Sequence, residues 1–244
     1  MAIYMWRDEE IFNTPGIYHN ETEGLISLSS DGESWITIAD KNLGAAQVWN
    51  EWDELTEANC GKFYQRWNNY GFPRKWEVTT SSTKVDASAY WPDNYYSSDV
   101  FIESTTNWDS TNNANLWWWL ETALEAKQWP AQTWFHIPTA AELSGIYNMR
   151  VSLWLGSEDG TLFGSIFKMP FAGYFSETSP ENRAFYWSSN MQYDDIECIY
   201  FWITSTSIIS SLETSYSSRG YSIRPFKNEP VVPTSERTVL YQPN

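Results

Sequence analysis

Apart from one well-marked helix, the chain sets its apolar residues in short alternating bursts separated by long polar stretches. That pattern limits it to short strands joined by loops. Leu25-Ile26-Ser27-Leu28 and Trp35-Ile36-Thr37-Ile38-Ala39 alternate on either side of Asp31-Gly32, a hairpin signal. Residues 61–67 read as another strand, closed by the loop Asn68-Asn69-Tyr70-Gly71. Residues 79–115 have loop composition and are long enough to be an elaborated functional or packed insertion. The helix begins where Pro138 precedes Thr139 and Glu142 follows three residues on, the two halves of a capping box. It is predicted to run through Ala140, Ala141, Leu143 and Ile146 to about Met149. A shorter helix over residues 116–127 and a strand at 172–176 are also expected.

From Phe185 onward helix logic fades, and Ser, Thr, Ile, Tyr and Asp interleave until Arg219-Gly220-Tyr221-Ser222-Ile223-Arg224-Pro225-Phe226. β-Branched and aromatic residues at alternating positions predict strands with Ser and Thr on the exposed side. The expected architecture is α+β, with short strands, one or two helices and long loops. Residues 25–227 form its domain, residues 1–24 an N-terminal extension and residues 228–244, with three prolines, a C-terminal one.

Charge narrows the partners. With 31 acidic against 15 basic residues and a net charge of −16, the chain would be repelled by nucleic-acid phosphate and by anionic lipid. The same acidity keeps an aromatic-rich surface soluble. Neither nucleic acid nor membrane insertion is expected, since no apolar run approaches the roughly 18 residues of a span. Residues 1–10 lack the basic start and apolar centre of a secretory signal, so synthesis in the cytoplasm is expected, with any outside role reached by another route such as assembly into a particle. Cys60 and Cys198 cannot build a disulfide framework and read as free thiols. His19 and His136 are the only histidines, so a three-histidine metal site is excluded. No cofactor is expected.

Sixteen tryptophans outnumber 12 glycines, an inversion of the usual order. Several, including Trp117-Trp118-Trp119, Trp129 and Trp134, occupy places where a turn is expected. Either they form an aromatic ligand platform or core, or some are UGA codons that the source reads as glycine.

Four segments, in order, carry a resemblance: Thr37-Ile38-Ala39-Asp40-Lys41-Asn42-Leu43-Gly44, Trp134-Phe135-His136-Ile137-Pro138-Thr139, Tyr186-Trp187-Ser188-Ser189 and Gly220-Tyr221-Ser222-Ile223-Arg224-Pro225. Together they resemble the bacterial major-paralogous-domain (FISUMP) proteins, which have the C-type-lectin fold in its formylglycine-generating-enzyme-like form. The resemblance spans about residues 25–227. It implies a C-type-lectin-like fold that brings its N- and C-terminal strands together and projects loops from one end.

Within that fold some members are target proteins of diversity-generating retroelements, in which templated reverse transcription randomises adenines near the 3′ end of the gene. The resemblance therefore implies a variable region at about residues 187–224. Codons of the randomised type give Asn, Ser, Thr, Ile, Tyr, Asp, Cys, Phe, His, Gly and a few others, but not Trp, Lys, Glu, Gln or Met. The expected variable, solvent-exposed patch is Asn190, Tyr193, Asp194, Asp195, Cys198, Tyr200, Thr204, Ser205, Thr206, Ser207, Ser210, Thr214 and Tyr216. Tyr186, Trp187, Ile199, Phe201, Ile223 and Phe226 are expected to be buried scaffold. The bland alternative is a Ser/Thr-rich sheet edge. Tyrosines would supply contact area with few rotors to freeze, as in an antibody paratope.

The function implied is ligand binding without catalysis: a phage or surface adhesin whose partner is a protein or glycan on a cell surface. A fixed-specificity carbohydrate-binding lectin or a virion decoration protein is the alternative. An enzyme of the formylglycine-generating type would need an active-site cysteine pair, and Cys60 and Cys198 sit in unlike contexts. No carboxylate pair stands out for glycoside hydrolysis. His136, between Phe135 and Ile137, is expected to pack against the helix cap. Glu229-Pro230-Val231 and Gln242-Pro243-Asn244 do not reproduce a calcium-lectin motif in place, so calcium has no support.

Overall fold

The structure, a computed structural model, describes residues 14–51, 53–74, 78–90, 96–110, 130–152, 160–175, 182–191, 197–204, 212–233 and 238–241. The strands are β1 (Gly16–Asn20), β2 (Leu25–Ser29), β3 (Ile36–Ala39), β4 (Phe63–Gln65), β5 (Gly71–Phe72), β6 (Thr79–Ser81) and β7 (Val100–Ile102). They continue with β8 (Phe135–His136), β9 (Arg183–Met191), β10 (Glu197–Thr204), β11 (Leu212–Tyr216), β12 (Gly220–Tyr221), β13 (Phe226–Lys227) and β14 (Thr238–Tyr241). Among the described residues three α-helices accompany them: α1 (Glu57–Cys60), α2 (Ala140–Ser152) and α3 (Gly160–Phe167). The class is α+β, with short strands and few helices. Among the described residues no helix is long and apolar enough to cross a membrane.

The expected hairpin is present as β2 and β3, antiparallel with Ile26 opposite Ile38 and Ser27 opposite Thr37. Its connection is longer than a two-residue Asp-Gly turn. Asp31 Oδ1 accepts the backbone N–H groups of Glu33 (2.8 Å) and Ser34 (2.7 Å), and the Ser29 hydroxyl (2.9 Å). Those backbone bonds hold the Asp31 carboxyl well below the usual carboxylate range.

Among the described residues the largest sheet has six strands in the order β14-β1-β2-β3-β13-β8. Both segments read from sequence as extensions enter it. β1 pairs along its whole length with β2, and β14 pairs with β1 through Tyr18–Val239 and His19–Thr238. Ile17 and Tyr18 are buried, and Val231 donates its N–H to Thr37 Oγ1 (2.8 Å) while accepting from the Ser27 hydroxyl (2.8 Å). The boundaries at 24 and 228 therefore move outward: pairing with a strand more than 200 residues away leaves no local mark in either sequence. A second, three-stranded antiparallel sheet has the order β11-β10-β9, and a third joins β12, β4 and β5.

One core lies between the large sheet, α2 and α3, and one face of β9–β10. Ile17, Ile26, Leu28 and Ile38 meet Leu143 and Ile146 of α2, Phe167 of α3, and Tyr186, Phe201 and Ile203. Each such apolar side chain stabilises the fold by about 1.5–3 kcal/mol on burial. A second core, built from Trp67, Trp108, Trp187, Tyr200, Tyr221 and Ile223, covers the other face of β9–β10. The insertion contributes to it: Trp108 is fully buried, and Asp109 Oδ1 accepts the N–H of Ala87 (2.8 Å). Much of the loop-like stretch is thus packed structure.

Helix α2 starts as expected. Glu142 donates its backbone N–H to Thr139 Oγ1 (3.1 Å), and Glu142 Oε2 accepts from Thr139 N (2.7 Å). The helix ends at Ser152, about one turn beyond the expected stop. Residues 172–175 form no strand, although Gly173 bridges to Ala184. The helix expected at 116–127 and the tryptophans at 117–119 and 129 lie outside the described residues.

Candidate functional site

The four motif segments, scattered between Thr37 and Pro225 in the sequence, meet at one place. Phe226 of β13 pairs with Ile38 of β3 on one side and with His136 of β8 on the other. Ala39 N donates to Pro225 O (2.9 Å), Leu43 N to Ile223 O (2.9 Å), Trp187 N to Ser222 O (3.0 Å) and Ser189 N to Pro138 O (2.7 Å). Arg224, fully buried, donates to Ala39 O (2.8 Å) and Lys168 O. Burial pulls its guanidinium below the ordinary value, and Tyr186 and Asp40 oppose that pull. Burial likewise pushes the Tyr186 hydroxyl up to about 12. Gly220 is required by close approach, because a Cβ there would lie 2.7 Å from Phe175 Cβ. This frame is scaffold, and Tyr186, Trp187, Phe201, Ile223 and Phe226 are buried as expected. The side chain of Ile199 lies outside the described residues.

His136 belongs to the frame too. Its Nδ1 lies 3.0 Å from Asn228 Oδ1 and its Nε2 3.0 Å from Glu142 Oε1. Burial raises the Glu142 carboxyl, but the bonds and charge of His136 and the bonds from Thr139 outweigh it, leaving the group below its ordinary value. The histidine thus locks β8 to the helix cap. Two further scaffold contacts went unanticipated. Asp40 Oδ2 pairs with His19 Nε2 at 3.0 Å, both groups buried. Arg66, fully buried, donates to Ser188 O (2.6 Å) and Ser189 O (2.7 Å). A charged residue at the end of an apolar strand segment was the available signal for the second.

The candidate patch fares differently, and part of it needs correction. Tyr200, expected to be exposed, is 8% exposed and packs against Tyr221 (ring centroids 4.9 Å), Phe185 (5.9 Å) and Trp187 (6.5 Å). Thr204 is 7% exposed. Alternation puts both on the face of β10 that the second core covers, so neither is a free contact residue. Asn190 is half-buried, and its Oδ1 accepts the N–H of Ala140 (2.6 Å), so it satisfies an open donor at the start of α2. Tyr216 is half-buried and opposite Glu197, whereas Tyr200 is opposite Glu213. Positions 197 and 200 differ by an odd number, so Tyr216 and Tyr200 lie on opposite faces of the sheet. Cys198 and Thr214 occupy β10 and β11, opposite Ser215 and Ile199 respectively.

Tyr193, Asp194 and Asp195, and Ser205, Thr206, Ser207 and Ser210, lie outside the described residues. The strand ends flanking those two segments are described, and they sit at opposite ends of β10. Eight residues of strand put those ends roughly 23 Å apart at about 3.3 Å per residue. The described candidates therefore form no single outward surface.

A cavity of about 220 Å³ opens beside the frame, lined by Glu23, Gly24, Asp40, Asn42, Phe135 and Pro225 among others. Among the described residues no group of three or more His, Cys, Asp or Glu is placed to hold a metal ion. Compared with known proteins, the chain matches no family model, no curated protein and no solved structure.

Proposed function

We propose that the chain is a non-enzymatic ligand-binding protein on a C-type-lectin-like scaffold, with ligand contacts in the connections that flank β10 and not on its strand faces. The observation that carries this reading is the meeting of all four motif segments in one buried, backbone-bonded frame. The pairing of β1 with β14, which brings the two ends of the described chain together, is in keeping with such a scaffold. With Asn190 capping α2 and Tyr200 and Thr204 buried, the remaining candidates fall largely in the segments 192–196 and 205–211, outside the described residues. A displayed residue there would tolerate exchange at a cost of roughly 0.5 kcal/mol or less, the scale for substitutions away from packing and caps. In this reading the protein is a retroelement target protein acting as a phage or surface adhesin, and its partner is a protein or glycan on a cell surface.

Two measurements test it. The gene's 3′ end should have a near-copy beside a reverse transcriptase gene, differing only where the copy has adenines. Separately, residues 193–195 and 205–210 can each be exchanged for Gly/Ser sequence and the proteins applied to a glycan array and to a panel of bacterial cells. Loss of binding in at least one exchange, with the fold intact, is expected. Binding that survives both exchanges would instead favour a lectin with a fixed sugar site.

A further inference from the structure

Among the described residues three non-glycine residues hold a left-handed backbone: Trp67 (φ 69°), Trp134 (φ 70°) and Lys168 (φ 54°). Lys168 has an ordinary reason. It follows α3, donating its N–H to Ser165 O (3.3 Å) while Met169 N reaches Gly164 O (2.8 Å), the paired bonds of a Schellman helix end.

The two tryptophans share another setting. Asn68 N donates to Gln65 O (2.9 Å) and Phe135 N to Gln132 O (3.0 Å), so each tryptophan is the third residue of a hydrogen-bonded four-residue turn. The residues before them, Arg66 and Thr133, are not left-handed. That combination defines a type II turn, whose third position calls for glycine. A bulky side chain there is an outlier. The chain builds this turn once more in the described residues, and there it uses glycine: Ala45 N donates to Asn42 O (3.0 Å) around Gly44 at φ 79°.

The Trp134 indole supplies no reason to accept the strain, and that of Trp67 supplies only packing, beside Trp108 (ring centroids 6.4 Å) and the Arg66 guanidinium (5.8 Å). Trp134 is 67% exposed, and its contribution to the neighbouring strand is a carbonyl that receives Asn228 N (2.9 Å), a bond any residue makes. Trp67 is buried, yet its Nε1–H has no acceptor, whereas Trp108 beside it donates its own to Arg66 O (2.7 Å). Add the excess of tryptophan over glycine, 16 to 12, and one explanation covers both sites.

We infer that positions 67 and 134 are glycines in the protein its source makes, encoded by UGA codons that the source reads as glycine and that stand as tryptophan in this sequence. The inference is independent of the ligand-binding proposal. It removes Trp134 from any aromatic ligand platform and makes the turns at 65–68 and 132–135 copies of the one at 42–45.

The codons and the protein from its source decide it. UGA at both positions, with glycine in the corresponding peptides by mass spectrometry, is the expected result. UGG, or tryptophan in those peptides, overturns it. A second arm needs only recombinant protein carrying tryptophan at both positions as the parent. Trp134→Gly is compared with Trp134→Ala, and Trp67→Gly with Trp67→Ala, by urea unfolding. Each pair removes the same ring and differs in one Cβ. A folded-to-unfolded ratio about fivefold or more higher for the glycine variant is expected. Alanine equal to or better than glycine at the exposed position 134, where no cavity complicates folding, overturns the assignment of these turns to glycine.

Discussion

The frame joining β3, β8, β9 and β13 and the three-stranded sheet β9–β11 share a strand, yet they put similar side chains to opposite uses. In the frame, Ser188, Ser189 and Ser222 are buried, and their backbone groups tie segments together. Along β9 and β10, polar residues were expected to face outward, but Thr204 is buried and Asn190 caps a helix. The difference teaches that composition marks which residues could vary, while burial on both faces of a sheet decides which of them can. β9 and β10 carry helices α2 and α3 against one face and an aromatic core against the other. Side chains within those two strands are thereby committed to packing.

The largest effect should come from breaking the frame where it meets that sheet. Arg66 is the shared post, bound to two carbonyls of β9. Arg66→Ala removes a charged donor from each carbonyl in a dry interior, at a cost of about 1–3 kcal/mol each, so a loss of about 4 kcal/mol is expected in urea unfolding. A loss under about 1 kcal/mol would mean that the serine carbonyls find water or other donors, and the frame would be looser than its contacts imply.

Next is Tyr200, whose burial separates the two regions. Tyr200→Ala should cost about 3 kcal/mol, the scale of removing a buried aromatic ring. A freely exchangeable contact residue would cost roughly 0.5 kcal/mol or less. The smaller value would return Tyr200 to the variable surface and expose the face that Phe185, Trp187 and Tyr221 now fill.

Local features were legible in the sequence and long-range ones were not. The capping box of Thr139 and Glu142 and the β2–β3 hairpin are written in residues that touch each other, so spacing alone reveals them. His136 was readable as scaffold because it lies between two apolar residues just before a helix start. The four segments singled out in the sequence are brought together by backbone bonds. Tyr200 was misplaced because alternation gives a strand two faces but does not say whether the second is wet. Cover for that face comes from Tyr221, twenty-one residues away, with Trp108, far upstream, in the same core. The β1–β14 pairing was missed for the same reason, since neither strand carries a mark of its partner.

A smaller effect separates capping from display at Asn190. Asn190→Ala removes the acceptor for the first N–H of α2 and should cost about 1 kcal/mol, as cap losses do. Asn190→Asp should restore most of it, because a carboxylate also accepts and suits a helix N-terminus. Equal stability of all three proteins would make Asn190 a surface residue after all.

The smallest effect is at Glu142 on the same helix start, and pH distinguishes it from Asn190. Its carboxyl lies below the ordinary value of 4.5 in the folded chain. A group depressed by folding contributes stability that is present above its unfolded value and is lost as pH falls through its folded one. Glu142→Gln has no such group. With its side chain 33% exposed, the carboxylate is partly screened, and the gap between native protein and variant at pH 6 should be under about 1 kcal/mol. That gap should close as pH falls from about 4.5 toward 3, whereas the Asn190→Ala gap should not follow this titration. Urea midpoints measured across the range would show it. A gap that widens on acidification would mean that desolvation, which raises the carboxyl, dominates over His136 and Thr139, and the lock between β8 and the helix cap would then rest on shape and not on charge.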